Sequence, residues 1–305
     1  MSFKEIKYGQ VTWINIENPK QTDIDRLAKR FPSHHPLALE DCLSRIERPK
    51  IDDYDDHLFV VMQFPKFDRS SRISRPAEVD LFLGRGYLVT VHDGVLLPLN
   101  QLFTVCQEDQ DLRQKHFDQG AERLFHTVID QLVDYIFPIL SKIDAHISRL
   151  GDEIFESNTR SLVREISLVR RDIISLRRII RPQIAIIANL EQQNRPFIHE
   201  DLDEYFGDIL DHIFKIRDIV EEDYEMIADL SNTTDSLLSH RINEVMRVLT
   251  VMSVIMLPLT LISGIFGMNI PLPFEKNPFA FIGMMGIMVS IFAGMIIFFR
   301  YRNWL

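Results

Sequence analysis

A stripe of polar and apolar side chains recurs every three or four residues through a long uncharged stretch near the end of the chain. It comprises Asn243, Met246, Leu249 or Thr250, Ser253, Leu257 and Thr260. This spacing places the side chains on one face of a helix. Polar groups in hydrocarbon are tolerated mainly where they face protein or water, so the stripe as a whole favours the lining of a gated, hydrated pore. For any single Ser or Thr, a hydrogen bond to a backbone carbonyl or packing between helices is an equally good explanation.

The stripe lies in the first of two apolar runs that are long enough to cross a bilayer. Val248 to Phe266 carries no charge, and at about 1.5 Å per residue it spans close to the roughly 30 Å of the hydrocarbon core. A second uncharged run, Pro278 to Phe299, follows a short polar connection. Basic residues flank the pair at Arg241, Arg247, Arg300 and Arg302. This bias predicts a membrane hairpin with residues 270–277 outside and both termini in the cytoplasm of a plasma (inner) membrane protein.

One hairpin cannot enclose a conduction path, because a pore needs a ring of walls. Transport therefore requires a symmetric homo-oligomer. Apolar positions keep a helical period from Asp201 onwards, with no proline before Pro258. A helix that runs unbroken to Phe266 would be on the order of 100 Å long and would link a cytoplasmic domain directly to the membrane.

The rest of the chain predicts a cytoplasmic α+β domain, a mixed sheet flanked by helices, followed by helical arms. Val11–Ile16, Leu58–Phe64 and the hairpin Val79–Val91 have strand patterns, and helices are predicted from Thr22 and Pro36. The predicted divisions are 1–118 for the α/β domain, 119–196 for two antiparallel helical arms with a break at 156–159, 197–247 for the cytoplasmic part of a stalk helix, 248–266 and 278–299 for the membrane helices, 267–277 for the turn and outer loop, and 300–305 for a basic C-terminus.

Composition narrows the class of protein. The net charge of -10 lies outside the hairpin. It argues against a nucleic-acid partner and is compatible with a protein that handles cations. The two cysteines have no zinc-ligand spacing, and the first residues predict no signal peptide. No nucleophile with a base, no phosphate loop and no zinc signature is present, so we predict neither an enzyme nor an organic cofactor.

Two clusters resemble metal ligands but are interpreted as structural. Asp52, Asp53, Asp55, Asp56 and His57 precede a predicted strand. Such acidic clusters are commonly solvated turns, although magnesium also prefers oxygen ligands of this kind. The pair His34-His35 precedes a proline at a helix start and has no partner at a recognisable spacing. Neither cluster is predicted to hold a metal.

The run LTVMSVIMLPLTLISGIFGMN, followed by a short loop, a second span and a basic C-terminus, resembles the CorA family of divalent-cation channels. The segments NEVMRVLT and RPKIDDYDDHLFVVM are similar to the family as well. The resemblance implies a homopentameric funnel in the lipid bilayer, with the long helix lining the pore. It implies passive influx of hydrated Mg²⁺, with Co²⁺ or Ni²⁺ as further cargo, and a selectivity ring made by Gly267, Met268 and Asn269.

Channels of this family also close when cytoplasmic Mg²⁺ occupies acidic sites between neighbouring subunits. By resemblance, Asp208 on the stalk helix and Asp68 in the α/β domain are the candidate regulatory ligands. Asn232 occupies a stalk position where the family pattern can carry an acid, which puts one site at the cytoplasmic entrance in doubt. The outer loop has Glu275 as its one acid, beside Lys276, so electrostatic capture of cations outside should be weak.

Two other functions stay open at this point. A proton-coupled zinc transporter of the ZntB type shares the architecture, and the methionine of the GMN turn favours the magnesium branch without deciding the matter. A membrane-anchored sensor that conducts nothing would use the hairpin as an anchor. The polar stripe argues against the sensor, because an anchor has no need of polar groups along one face.

Overall fold

The computed structural model describes residues 2–44, 47–154, 159–192, 203–268 and 279–304. The chain divides into two compact units, Met1–Ser231 and Asn232–Leu305. The first unit contains the sheet and most of the helices. Two helices, Glu204–Phe266 and Phe281–Tyr301, are long and apolar enough to cross a membrane, and the apolar part of the first lies in the second unit together with the whole of the other.

The first unit is built on a six-stranded mixed sheet with the order β1-β2-β6-β5-β4-β3. The strands are β1 (Phe3–Tyr8), β2 (Val11–Glu17), β3 (Lys50–Asp53), β4 (His57–Asp68), β5 (Ile73–Gly84) and β6 (Tyr87–His92). β2 and β6 are parallel, and the other neighbours are antiparallel. The predicted mixed sheet is therefore confirmed.

Strand alternation divides the core between the two faces of the sheet. The face of Ile14, Phe59 and Phe82 packs against α1 (Gln21–Arg30) and α2 (Pro36–Asp41). On the other face Trp13 contacts Phe103 edge-on, at 4.9 Å between ring centroids. Phe103 lies in α3 (Leu97–Glu108), which is followed by α4 (Gln110–Phe117). A sheet covered by helices on both faces follows.

Three helices extend the first unit. They are α5 (Ala121–Asp134), α6 (Ile136–Glu153) and α7 (Thr159–Gln192), and α7 contacts β4, β5 and α6. The predicted break at 156–159 falls largely outside the described residues. α8 runs from Asp203 to Phe266 and so carries residues of both units, and α9 runs from Ala280 to Tyr301. The predicted long helix is present from Asp203.

The structure corrects the prediction for part of the acidic cluster, since Asp55 and Asp56 do lie exposed in the bend before β4. Asp52 and Asp53 are not in a solvated turn, because they belong to β3 and pair with Phe59 and Leu58 of β4. Backbone pairing places this short polar strand at the sheet edge, and its sequence has no apolar alternation that would have predicted it. β1, at the other edge, was also not predicted.

The central hairpin is longer than its sequence pattern predicts. Proline weakens a strand prediction because it cannot donate to the ladder. Pro65 and Pro76 lie opposite each other in the register of β4 and β5, so the two missing donors coincide at one rung and the hairpin continues past them.

The histidine pair occupies a structural environment. His34 is buried, stacks on Phe82 at 4.5 Å between ring centroids, and lies 3.0 Å from the Tyr87 hydroxyl. His35 caps α2, since its Nδ1 accepts a hydrogen bond from Leu37 N.

Candidate ion pathway and cation-binding groups

One face of the membrane part of α8 is covered by α9. Val251 and Ile255 are buried against Phe299, and Leu259, Met295 and Ile296 pack around them. Residues 251, 255 and 259 follow the four-residue repeat that forms one ridge of a helix. Intramolecular packing of the hairpin therefore uses this ridge.

The predicted pore-lining stripe lies on the opposite side of α8. At about 100° per residue, its centre is roughly 180° around the helix axis from the Val251–Leu259 ridge. All seven members, Asn243, Met246, Leu249, Thr250, Ser253, Leu257 and Thr260, are exposed in the single chain. Leu257 is the clearest apolar case, with 69% of its surface exposed. The stripe is thus free to contact water or another copy of the chain.

The hydroxyls of the stripe donate to the helix backbone. Thr250 Oγ1 donates to Met246 O at 2.7 Å, and Ser253 Oγ donates to Leu249 O at 2.8 Å. Thr260 Oγ1 donates to Met256 O at 2.9 Å. Each hydroxyl therefore makes the hydrogen bond to a backbone carbonyl that was the alternative explanation for these residues. Such a bond uses only the hydroxyl proton. The lone pairs of each oxygen remain available to accept hydrogen bonds.

An open groove with a volume of about 730 Å³ follows the same part of α8. It is lined by Ser253, Met256, Leu257, Thr260, Leu261, Gly264, Ile265 and Met268. Its lining connects three residues of the stripe, Ser253, Leu257 and Thr260, with Met268 of the GMN turn.

At the end of α8, Gly267 and Met268 close the last helical turn. Gly267 N donates to Ser263 O at 2.9 Å, and Met268 N donates to Ile265 O at 3.3 Å. A Cβ at position 267 would lie 3.1 Å from Ser263 O, closer than most Cβ contacts. This close approach explains a glycine at the helix end. Asn269 and Glu275 lie outside the described residues.

The two candidate regulatory acids lie on different elements of the first unit. Asp68, at the end of β4, accepts hydrogen bonds from the hydroxyls of Ser71 and Ser70, both at 2.7 Å, and pairs with Arg75 at 3.2 Å. These hydroxyls hold the pKa of Asp68 well below its usual range. Asp208 is exposed on α8. Their joint role as ligands stays a prediction.

A cluster that the sequence analysis missed lies beside Asp208. Asp130 and Asp134 of α5 and His212 of α8 bring one ligand atom each within 4.8 Å of one another. His212 Nδ1 is 3.0 Å from Asp134 Oδ1. These atoms are at ion-pair distance but not in hydrogen-bond alignment, so the nitrogen retains its ligand capacity. Two carboxylates and one imidazole form a donor set that divalent metals use.

Packing between α5 and α8 holds this cluster together. Phe125 and Phe206 pack at 6.0 Å between ring centroids, and His126 Nε2 lies 3.1 Å from Tyr205 O. Burial and the neighbouring Asp134 raise the pKa of Asp130, and the charge of Asp208 adds to this effect. Asp208 therefore acts electrostatically on the cluster. The signal in the sequence was a four-residue spacing on each helix, Asp130 to Asp134 and Asp208 to His212, which places each pair on one helix face.

The comparisons with known proteins agree with this architecture. "Cobalt/magnesium transport protein CorA" of Thermotoga maritima is 29% identical over 96% of this chain and 83% of that protein. The CorA magnesium transporter structure from Methanocaldococcus jannaschii has a TM-score of 0.87 at 21% identity, covering 99% of this chain and 94% of that one. "Zinc transport protein ZntB" of Pectobacterium carotovorum is 18% identical over 85% of this chain and 77% of that protein. The family described as CorA-like Mg2+ transporter protein matches residues 8–301, and the chain belongs to that family.

Proposed function

We propose that the protein is a magnesium transporter in which hydrated Mg²⁺ moves passively into the cytoplasm along α8. The observation that carries this proposal is the position of the stripe, roughly opposite the ridge that packs on α9. A helix that served only as an anchor would have no use for an exposed polar face at membrane depth.

The proposed pore is formed by a homo-oligomer. The two apolar helices of one chain supply one hairpin, and the stripe is exposed in the single chain. A symmetric ring of chains would bring the stripes around a common axis and leave α9 outside. The resemblance to CorA proteins supports a pentamer, embedded in the plasma membrane with both termini in the cytoplasm.

The chemistry of the stripe suits an ion that keeps its water. Mg²⁺ dehydrates reluctantly, and the hydrogens of its bound waters point outward. Thr250, Ser253 and Thr260 commit their protons to backbone carbonyls and so present acceptor oxygens. Leu249 and Leu257, on the same face, suit a hydrophobic constriction that closes when it loses water. We propose that Gly267, Met268 and Asn269 form the selectivity ring, with the Asn269 amide oxygen accepting from the hydrated ion.

Gating is proposed to act through the acidic groups of the first unit. Asp130, Asp134 and His212 have a geometry that fits a cytoplasmic divalent cation. The charge of Asp208 acts on Asp130, and the bound cation would attract the Asp208 carboxylate as well. Asp68 is proposed to contribute from a neighbouring subunit. When no cation is bound, repulsion among these carboxylates would loosen the ring and open the pore.

Flux into proteoliposomes tests the transport function. The wild type and Asn269→Ala, each verified as oligomeric, are compared for uptake of Mg²⁺, Co²⁺, Ni²⁺, Zn²⁺ and Na⁺ under a negative-inside potential. Mg²⁺ uptake that collapses in Asn269→Ala is the expected result. An absence of flux for every ion would instead favour the anchored sensor.

Proton-coupled zinc transport is the second candidate, supported by the similarity to a zinc transport protein and by an imidazole in the cation cluster. The same vesicles separate the two functions. Zn²⁺ uptake that requires a proton gradient, without Mg²⁺ uptake, would replace the magnesium proposal.

A further inference from the structure

A small cavity lies on the α1–α2 side of the sheet. It has a volume of about 160 Å³. Its lining consists of Pro19, Cys42, Ser44, Pro76, Glu78, Asp80, Val91, His92 and Asp93. Three of these nine residues carry a carboxyl group, and none carries a lysine or arginine side chain.

Asp80 is the unusual member of this lining. It is 3% exposed and lies in the middle of the sheet, paired in register with Val61 on one side and Val91 on the other. Its Oδ1 is buried without a hydrogen-bond partner among the described residues. The Cys42 thiol lines the same cavity but donates to Ala38 O, at 3.3 Å. A buried carboxyl oxygen without a partner is costly unless a ligand supplies one.

No ion pair joins Asp80 to a basic side chain among the described residues, which leave out Arg45 and Ile46. Glu78 is on the same face of β5, and one of its oxygens accepts a short hydrogen bond from Glu47 N, at 2.5 Å. Lys50, the described lysine of this region, is already paired with Asp41 at 2.6 Å and with Asp52 at 3.1 Å. His92 uses both ring nitrogens, at 3.0 Å from Asn15 Oδ1 and 3.0 Å from Gly94 N. The cavity is therefore suited to a cation.

We propose that this cavity binds a hydrated divalent cation of the magnesium type, with Asp80 Oδ1 as a direct ligand and Glu78 bonded through the ion's water. The volume corresponds to about five waters at roughly 30 Å³ each, enough for an ion with part of its hydration shell. Among the described residues, the cluster at Asp130 is the one that brings three ligand atoms within 4.8 Å. The wider spacing here fits Mg²⁺, which takes one or two carboxylates and keeps several waters. The site is separate from the proposed pathway and does not depend on the transport function.

Mn²⁺ counting tests the site in the full-length, detergent-solubilised protein. Mn²⁺ is a hard divalent cation with an electron paramagnetic resonance signal, and the Asp130→Asn/Asp134→Asn background removes the other described cluster. In that background we expect Asp80→Asn to bind one fewer Mn²⁺ per chain, and Mg²⁺ to displace that ion. Asp25→Asn, which changes an exposed carboxylate on α1, is the matched control and should leave the count unchanged. Equal counts in Asp80→Asn and its background would overturn the proposal.

A second measurement keeps the test valid should Asp80→Asn fail to fold. In Cys106→Ser protein, Cys42 is the remaining thiol, and it lines the cavity. Mg²⁺ should slow the reaction of Cys42 with a thiol reagent several-fold, and Glu78→Gln should shift this protection to higher Mg²⁺ concentration. A reaction rate that does not respond to Mg²⁺ in the folded protein would also contradict the site.

Discussion

His212 Nδ1 of α8 lies 3.0 Å from Asp134 Oδ1 of α5, and Asp130 lies within reach of the same point. The ligand set therefore spans two helices, one of which continues from the first unit to the apolar segment. A cation held here would tie α8 to α5, and the proposed gating rests on this link.

Replacing His212 should weaken closure by cytoplasmic Mg²⁺. With one of three ligands gone, we expect His212→Ala to need about ten-fold more Mg²⁺ for half-maximal closure, because even partners outside the ligand shell change metal affinity by about this factor. Flux is measured against internal Mg²⁺ in proteoliposomes. Asp211→Asn, an exposed carboxylate one residue away, is the control. An unchanged Mg²⁺ dependence in His212→Ala would remove the cluster from the gating proposal.

Removing a hydroxyl from the stripe should lower conduction. Thr260→Val keeps the side-chain shape but removes the acceptor oxygen that now faces away from the α9 contact. We expect Mg²⁺ flux to fall several-fold at similar protein stability. Ser290→Ala removes a hydroxyl that donates to Gly286 O on α9 in the same way, at 2.8 Å, and should leave flux unchanged. Equal flux in the two variants would favour a backbone-capping role for Thr260.

The helix end at Gly267 should not accept a side chain. In Gly267→Ala the new Cβ would lie 3.1 Å from Ser263 O, so this carbonyl must move by a few tenths of an ångström. We expect reduced Mg²⁺ flux and altered discrimination against Co²⁺. Gly283→Ala on α9 is the control, because a Cβ there meets no heavy atom within 4 Å. If both variants retain wild-type selectivity, the turn at Gly267 does not shape the filter.

Stability should depend on pH through Asp223 of α8. This side chain is 3% exposed, and its Oδ2 has no hydrogen-bond partner among the described residues. Burial, with the charges of Asp144 and Glu222, raises the pKa of Asp223 from 3.8 to about 7. Because the folded pKa lies above the unfolded one, ionisation opposes folding, and stability falls as the pH rises from about 4 to about 7.

Asp223→Asn should remove that dependence. At about 1.4 kcal/mol for each pKa unit, the wild type loses at most about 4 kcal/mol across this range relative to the variant. Thermal unfolding of the detergent-solubilised protein at pH 5 and pH 8 measures the effect. The variant should gain in Tm over the wild type at pH 8 and little at pH 5. Asp229→Asn, on the same helix, provides the comparison, and a constant difference between variant and wild type at both pH values would contradict the role of Asp223.

The sequence by itself determined the features that depend on local periodicity. Two uncharged runs predicted both apolar helices, and a three-to-four-residue spacing placed Ser253, Leu257 and Thr260 on one face of α8. The family resemblance supplied the GMN turn. Strands with strong apolar character, such as β2 and β6, were also predicted, because the apolar pattern of a buried strand is visible in its own sequence.

The tertiary structure alone decided the features that join distant segments. The polar strand β3 exists because β4 offers it a partner, and Asp80 is buried in the middle of the sheet between β4 and β6. That the stripe lies opposite the hairpin contact follows from Phe299 packing on Val251, and that Asp130, Asp134 and His212 converge follows from α5 packing on α8. Residues far apart in sequence come into contact only when helices and strands pack, and local sequence patterns do not predict which elements will pack together.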